Sequence, residues 1–484
     1  MNKKLMALAV ASAVAAPGLA VAQTSLTPTA IVPSPGVASS NGITLYGRLD
    51  ETIISSKYSA TPGFTGASAA GQSSELKKGD VWSPGNAMGI RGREDLGGGT
   101  AAWFQLEIGV WPSERLDTAT TTGNNWGGRN SAIGISSQIG DILVGNWDTP
   151  YKQTFGVWNS VTSGGFSAAG ILVGNGDTTG ALNNALCQTT VSNTSGSIAV
   201  AAPVVNSCVT EATANNTAFS RRINNSVQWW SPVWSGFQVK LMTALATYQS
   251  PGVSANNGNV PGGLPKAQEY GGSAAWARGP ITIGIGIDQR KGLRPGAGTI
   301  QGVASNSTSP ANPTDSGVQV GGKWNFGPGE VGIVYEQLHY GNNAASTAPS
   351  SEMKVASYAV NGRWNVGPGA VWASYSATPG GKDCNGANNF NPSTGANNLV
   401  IGNAACSAGN ATDAGKAKMY VLGYDYVLSK RTKLYAAYSK IDNGLSTNYY
   451  YIAGPAGNNS NGTASGVQAG TDVTSFGLGL QHVF

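Results

Sequence analysis

Charged residues are scarce in this chain, and their spacing makes them the natural place to look for chemistry. Arg48, Asp50, Arg91, Arg93, Glu107, Arg222, Lys240, Asp288, Arg290, Lys323, Glu336, Arg363 and Asp425 all fall on the polar parity of alternating apolar/polar runs, eight of them basic and five acidic. In ITIGIGIDQR, for example, Ile281, Ile283, Ile285 and Ile287 point one way and Thr282, Asp288 and Arg290 the other. Successive side chains of a strand alternate between its faces. Such a row of charges turned to one side suits a water-filled lumen, where rings of Arg and Lys bias passage toward anions. The bland alternative for each of these side chains is a solvated wall charge, with Asp50 and Glu107 simply balancing neighbouring arginines. For Lys240, Lys323 and Arg363 that reading is the better one, whereas Arg48, Arg91 and Arg222 are candidates for a constriction.

Catalytic constellations are poorly represented. The chain has two histidines, His339 and His482, and neither has a nucleophile motif beside it, so a Ser-His-Asp arrangement has little to work with. GNGDTTG at 174–180 is glycine-rich but lacks the lysine of a phosphate loop. No histidine lies near a cysteine in sequence, so no metal site, cofactor or catalytic residue is expected. Cys187 and Cys208 fall in one loop-like region and Cys384 and Cys406 in another. In an exported chain two within-loop disulfides are the natural reading, and four free thiols the alternative.

The elements that must carry the charges are strands. The chain has 484 residues, of which 11% are charged, against the ~25% usual in globular domains. It has 69 glycines and a mean hydropathy of -0.13. A water-exposed globule would need more surface charge; a closed barrel with lipid outside and water inside does not. The net charge of +5 is too weak and scattered for a nucleic-acid partner. Lys3 and Lys4, the apolar stretch from Leu5 to Ala16 and Ala20-Val21-Ala22 have the form of a secretory signal over residues 1–22. Residues 23–41 read as a flexible extension, and 42–484 as one transmembrane domain.

Within 42–484, sixteen alternating runs can be counted, from 42–55 to 470–484. They are joined alternately by tight turns rich in Gly, Pro or charge, such as Gly327 to Gly329 and Gly367 to Gly369, and by long segments rich in Asn, Ser, Gly and Thr. Short periplasmic turns opposite long extracellular loops are the pattern of an outer-membrane barrel. Trp82, Trp111, Trp147, Trp234, Trp324 and Trp364 lie near run ends, where interfacial aromatic girdles belong, although core aromatics could be placed so too.

Several segments in order resemble the trimeric general porins of Gram-negative bacteria, especially the β-proteobacterial branch. They are ITLYGRLD (Ile43 to Asp50), GIRGREDLGGGTAAWFQLE (Gly89 to Glu107), GNWDTPY (Gly145 to Tyr151), NNSVQWWSPVWSGFQV (Asn224 to Val239), GYDYVLSKRTKLYAAYSKIDN (Gly423 to Asn443) and the terminal LQHVF. The resemblance implies a sixteen-stranded antiparallel barrel, a homotrimer with the third extracellular loop folded into the lumen, and a basic wall facing that loop. It further implies an outer-membrane setting among lipid and lipopolysaccharide, passage of ions and small hydrophilic solutes, and a terminal Phe484 read by the assembly machinery. Two constriction arginines of the branch match Arg129 and Arg222, and a third falls at Ala87. Arg129 shares the parity of Ile133 and Ile135, so a regular strand would turn it outward. The third loop, Pro150 to Ser220, is long, has only Asp177 and Glu211 as acids, and lacks the family's acidic motif. The expected function is therefore a passive channel with a mild anion preference. A channel selective for one solute, a barrel enzyme and an exported adhesin are the alternatives.

Overall fold

A computed structural model describes residues 42–59, 75–113, 127–161, 163, 165–169, 171–174, 218–247, 267–291, 314–340, 353–379, 381–382, 416–444, 449, 457–458, 464–465 and 471–484. The expected signal, the N-terminal extension and all four cysteines lie outside the described residues. No helix among the described residues is long and apolar enough to cross a membrane; the chain is built to cross with strands.

Sixteen antiparallel strands close on themselves. In chain order they are β1 (Gly42–Tyr58), β2 (in two segments, Leu76–Trp82 and Ala87–Gly97), β3 (Thr100–Gly109), β4 (Ser131–Ser137), β5 (Gly140–Asp148), β6 (Arg222–Trp230), β7 (Phe237–Thr247) and β8 (Ala267–Arg278). There follow β9 (Ile281–Lys291), β10 (Thr314–Asn325), β11 (Gly329–Tyr340), β12 (Met353–Val366), β13 (Gly369–Thr378), β14 (Ala417–Val427), β15 (Thr432–Asn443) and β16 (Val473–Val483). Each strand pairs with the next, and β1 pairs with β16 from Arg48↔Val483 to Tyr58↔Val473, so the sheet has no free edge.

The alternation read in the sequence is what separates the two faces. On β9, Ile281, Ile283, Ile285 and Ile287 are 40–51% exposed on the outside, while Asp288 and Arg290 are 3% and 1% exposed inside. The tight turns fall where glycine is needed: Gly279 (φ 58°) and Gly367 (φ 56°) take left-handed conformations that other residues rarely adopt. These turns share one end of the barrel with both chain-terminal strand ends, and the long connections lie at the other.

Two features depart from a regular barrel. β2 breaks at Ser83–Asn86, and the two segments pair with different halves of β1. The third loop enters the lumen as two single-turn helices, α1 (Pro150–Gln153) and α2 (Phe155–Trp158). Of the tryptophans expected in girdles, Trp234, Trp324 and Trp364 are outward, whereas Trp82 packs against Phe166 and Trp147 against Trp103 and Trp230 on the inner side. The outward aromatics nearer the long connections include Tyr270, Tyr335, Tyr358, Tyr420, Tyr438 and Phe476. That girdle is rich in tyrosine, whereas the outward tryptophans mark the tight-turn end.

Candidate functional site

The loop that enters the lumen starts from a strong local signal. Thr149 caps α1, its hydroxyl accepting from the Lys152 N–H at 3.1 Å, and Pro150 fills the first helical position. The next residues bury an apolar face. Tyr151, Phe155, Trp158, Phe166, Leu172 and Phe219 are all nearly inaccessible, packed into one cluster with wall residues such as Val334, Trp372 and Tyr435. Each such side chain contributes roughly 1.5–3 kcal/mol on burial.

What lets a loop approach the inner wall so closely is a track of lumen-facing glycines. A Cβ on Gly284 would meet Val157 at 3.0 Å, one on Gly321 would meet Trp158 at 2.9 Å, and one on Gly317 would meet Phe219 at 2.7 Å. At Gly332 it would lie 1.7 Å from the Trp158 carbonyl oxygen. Polar groups fix the seat between these contacts. The Trp158 indole donates to Gln319 Oε1 at 3.2 Å, and Gln319 Nε2 donates to the Tyr151 carbonyl at 2.8 Å. Glu336 accepts from the Tyr151 hydroxyl and, at 2.7 Å, from the Gly174 N–H. Asn361 Oδ1 accepts from the Ser160 N–H at 2.7 Å, and Asp425 Oδ1 accepts from the Ser163 hydroxyl at 2.7 Å. The return limb is held too: Arg290 donates to the Ala218 carbonyl at 2.6 Å and stacks 3.7 Å over the Phe219 ring. From the last long connection, Tyr449 is buried, with its backbone tied to Asn443. Burial, reinforced by the nearby Glu336 carboxylate, pushes the Tyr449 hydroxyl well above its ordinary pKa.

Most of the seat lies on β8 to β16, and Ile54 and Tyr58 of β1, Trp82 of β2 and Lys240 of β7 complete it. Across from it, β1 to β6 carry a compact charged cluster. Arg129 Nε meets Glu107 Oε1 at 2.7 Å, and the Tyr46 hydroxyl donates to Glu107 Oε2 at 3.0 Å. Arg91 sits 5.1 Å from the Tyr46 ring centre. Asp148 is paired with Arg222 and with Lys152 of α1, each at 3.3 Å, and Asn130 bridges it to Arg222. Arg48 donates to the Gly85 carbonyl at 2.6 Å, in the break of β2, directly across from Ala87. Asp50 is held by Tyr435 at 2.5 Å and by Gln481 at 2.8 Å. Five cations (Arg48, Arg91, Arg129, Arg222, Lys152) thus meet three carboxylates (Asp50, Glu107, Asp148), an excess of two positive charges. Among the described residues of the third loop there is no acid.

The structure thus brings together Arg48, Arg91, Arg129, Arg222 and Glu107. Arg129 precedes β4, its N–H bound to the Glu107 carbonyl at 3.1 Å, and this position outside the strand frees it from strand parity. The remaining wall charges stand apart. Lys240 is covered by the loop, donating to Gln153 Oε1 at 2.6 Å and lying 4.0 Å over Trp230. Arg363 pairs with Asp425 at 2.8 Å, which also receives Lys433 at 3.3 Å, and Lys323 approaches Glu330 at 3.7 Å near the tight-turn end. Sequence reading missed Lys152, Asp148, Tyr46 and Asn130; the Thr-Pro pair opening α1 was the available signal for the first. Phe484 closes the barrel, exchanging backbone hydrogen bonds with Gly47 at 3.0 and 3.1 Å.

A closed, edge-free barrel with an apolar exterior, a charged interior and a loop narrowing its lumen defines a diffusion channel of the bacterial outer membrane. A family profile described as Gram-negative porin matches residues 7–446, and the chain belongs to that family. It is 24% identical over 490 residues to outer membrane porin protein 32 of Delftia acidovorans, with both chains covered completely. Over 126 residues, 26% of this chain, it is 32% identical to the major outer membrane protein P.IB of Neisseria meningitidis serogroup B. The fold matches the anion-selective porin from Comamonas acidovorans with a TM-score of 0.54 at 18% identity, covering 92% of this chain and 99% of that one.

Proposed function

We propose that this outer-membrane channel passes ions and small hydrophilic solutes with a mild preference for anions. The observation that carries the preference is the excess of two positive charges in the cluster that the β1–β6 wall forms with Lys152 of the loop, whose described residues are free of acids. Cation-rich rings at a constriction lower the entry cost of anions relative to cations. The similar porin from Comamonas acidovorans is described as anion-selective, which points the same way. In this reading Arg48, Arg91, Arg129 and Arg222 face permeating solute, Glu107 tempers them, and Lys240, Lys323 and Arg363 serve the wall and the loop seat. The protein acts by passage and not by catalysis.

The proposal extends to assembly: an exported chain, three copies in the membrane, Phe484 as the signal to the assembly machinery, and lipopolysaccharide as a neighbour. The test is the reversal potential of single channels in a planar bilayer under a salt gradient. A potential of the sign set by the anion supports the reading, and one set by the cation overturns it. Flux that saturates for one class of solute would favour a selective channel with a binding site at the constriction.

A further inference from the structure

Three neighbouring turns at the tight-turn end carry large apolar side chains at their tips. Leu96 (β2–β3), Ile139 (β4–β5) and Val233 (β6–β7) are 54%, 74% and 47% exposed. The turns are tied side by side. A Cβ on Gly99 would meet the Gln138 side chain at 3.3 Å, and one on Gly140 would run into the Trp230 carbonyl oxygen and lie 3.2 Å from the Ser231 backbone. The outward Trp229 indole donates to the Ile139 carbonyl at 3.1 Å, so the tips begin beyond the ring that marks the interface. The tips of the other tight turns are Gly279-Pro280, Gly327-Pro328, Gly367-Pro368 and Ser429-Lys430. A run of apolar tips on adjacent hairpins, placed past the hydrocarbon, is a surface that marks an interaction.

The chain itself supplies a matching segment. β1 begins at Gly42, the direct partner of Arg93, so the residues before it leave the barrel beside the β2–β3 turn. From Gln23 to Asn41 there is no charged residue, and Leu26, Ile31, Val32 and Val37 are interspersed with Pro28, Pro33 and Pro35. Proline disposes such a stretch to an extended left-handed form, which docks on aromatic and apolar surfaces at low entropic cost. The reach fits. Strand neighbours lie ~4.8 Å apart, so Leu96 and Val233, four strand spacings from each other, are separated by roughly 19 Å. Val37 and Ile31, at ~3.1 Å per residue, are separated by roughly 19 Å as well. The exposed Trp234 ring beside Val233 offers the flat face that a proline-bearing segment favours.

We infer that the chain's own segment from Ile31 to Val37 straps the tips of the β2–β3, β4–β5 and β6–β7 turns, with Val37 toward Leu96 and Ile31 toward Val233. The strap ties together, from the tight-turn side, the hairpins whose strands carry the charged wall, and it is independent of what the pore passes. In the full chain, purified as a folded barrel, Val32→p-benzoylphenylalanine would be irradiated and its crosslinks mapped by mass spectrometry. They are expected on peptides containing Ile139 or Val233 of the same chain. Proteinase K should cut between Ala30 and Ala38 about tenfold faster in L96S/I139S/V233S than in wild type, because cleavage follows the undocked population. V32D/V37D, altered only in the segment, should be cut as fast as that triple variant. V366S, at a tip as exposed as Val233 but on the opposite side of the barrel, should be cut as wild type is. Equal cleavage of wild type, L96S/I139S/V233S and V32D/V37D overturns the inference. So do crosslinks that fall elsewhere in the chain, or on a second copy, seen as a dimer after boiling. Heat-modifiable migration reports that each variant folds.

Discussion

Placing a methyl group at Gly332 is the sharpest available test of how the loop is seated. The added Cβ would lie 1.7 Å from the Trp158 carbonyl oxygen, whereas ordinary contact begins near 3.4 Å, so the loop must move by about 3.4 − 1.7 = 1.7 Å. Gly332 is on β11 with partners Lys323 and Asn361 on both sides, so the wall is less free to yield than the loop. A shift of that size breaks the bonds from Trp158 to Gln319 and from Ser160 to Asn361, now 3.2 and 2.7 Å. Each of the two lost hydrogen bonds costs about 1 kcal/mol and the overpacking adds about 1–3 kcal/mol, so Gly332→Ala should weaken the seat by roughly 3–5 kcal/mol. Displacement from this wall is toward the arginine cluster, so single-channel conductance should fall while heat-modifiable migration shows the barrel intact. Gly362→Ala is the control, because its Cβ would meet neighbouring strand atoms at 3.2 and 3.4 Å and not the loop. If Gly332→Ala conducts as wild type does, the loop is not seated on β11 and the reasoning fails.

Replacing Arg129 or Arg222 with Gln should move the reversal potential toward that of a non-selective pore, and Glu107→Gln should move it further toward the anion; the same bilayer recordings check both. Asp425→Ala leaves Arg363 and Lys433 without their shared carboxylate and removes the acceptor of the Ser163 hydroxyl, so the heat-dissociation temperature should drop, with a cost of about 3–5 kcal/mol. The Phe219 and Ser220 N–H groups both bind the Gly174 carbonyl, at 2.8 and 3.1 Å, which closes the loop's neck. Deleting 175–217 and joining Gly174 to Ala218 should therefore leave a folded barrel whose conductance changes by less than about twofold; loss of folding would show that the neck does not hold alone.

The strands were legible because lipid outside and water inside impose a period of two on every crossing, and ITIGIGIDQR shows it without help from tertiary context. The turns were legible because Gly279 and Gly367 are demanded locally. The seat was not. Gly284, Gly317, Gly321 and Gly332 sit on the polar parity, where a glycine is indistinguishable from any small lumen residue until the loop it admits is known. Lys240, Arg290 and Glu336 have the parity of water-facing charges and instead hold the loop, because parity gives a side chain's direction and not what lies above it. Arg129 showed the reverse difficulty: its parity was wrong for the lumen, and only the end of β4 at Ser131 resolves it. The break of β2 at Ser83–Asn86 also escaped notice, since the alternation on either side of it reads as one run.

The division of the lumen into two walls gives this protein a kind of modularity. The charges that would choose among solutes stand on β1 to β6, in the first half of the chain, whereas the glycines and, apart from Asp148, the carboxylates that hold the loop stand on β8 to β16. Lys152, rooted in the loop and paired to Asp148, is the one cation that belongs to both. Substitutions among Arg48, Arg91, Arg129 and Arg222 can therefore retune preference without unseating the loop. Natural selection, or an engineer, could alter what passes while leaving how wide the passage is almost untouched.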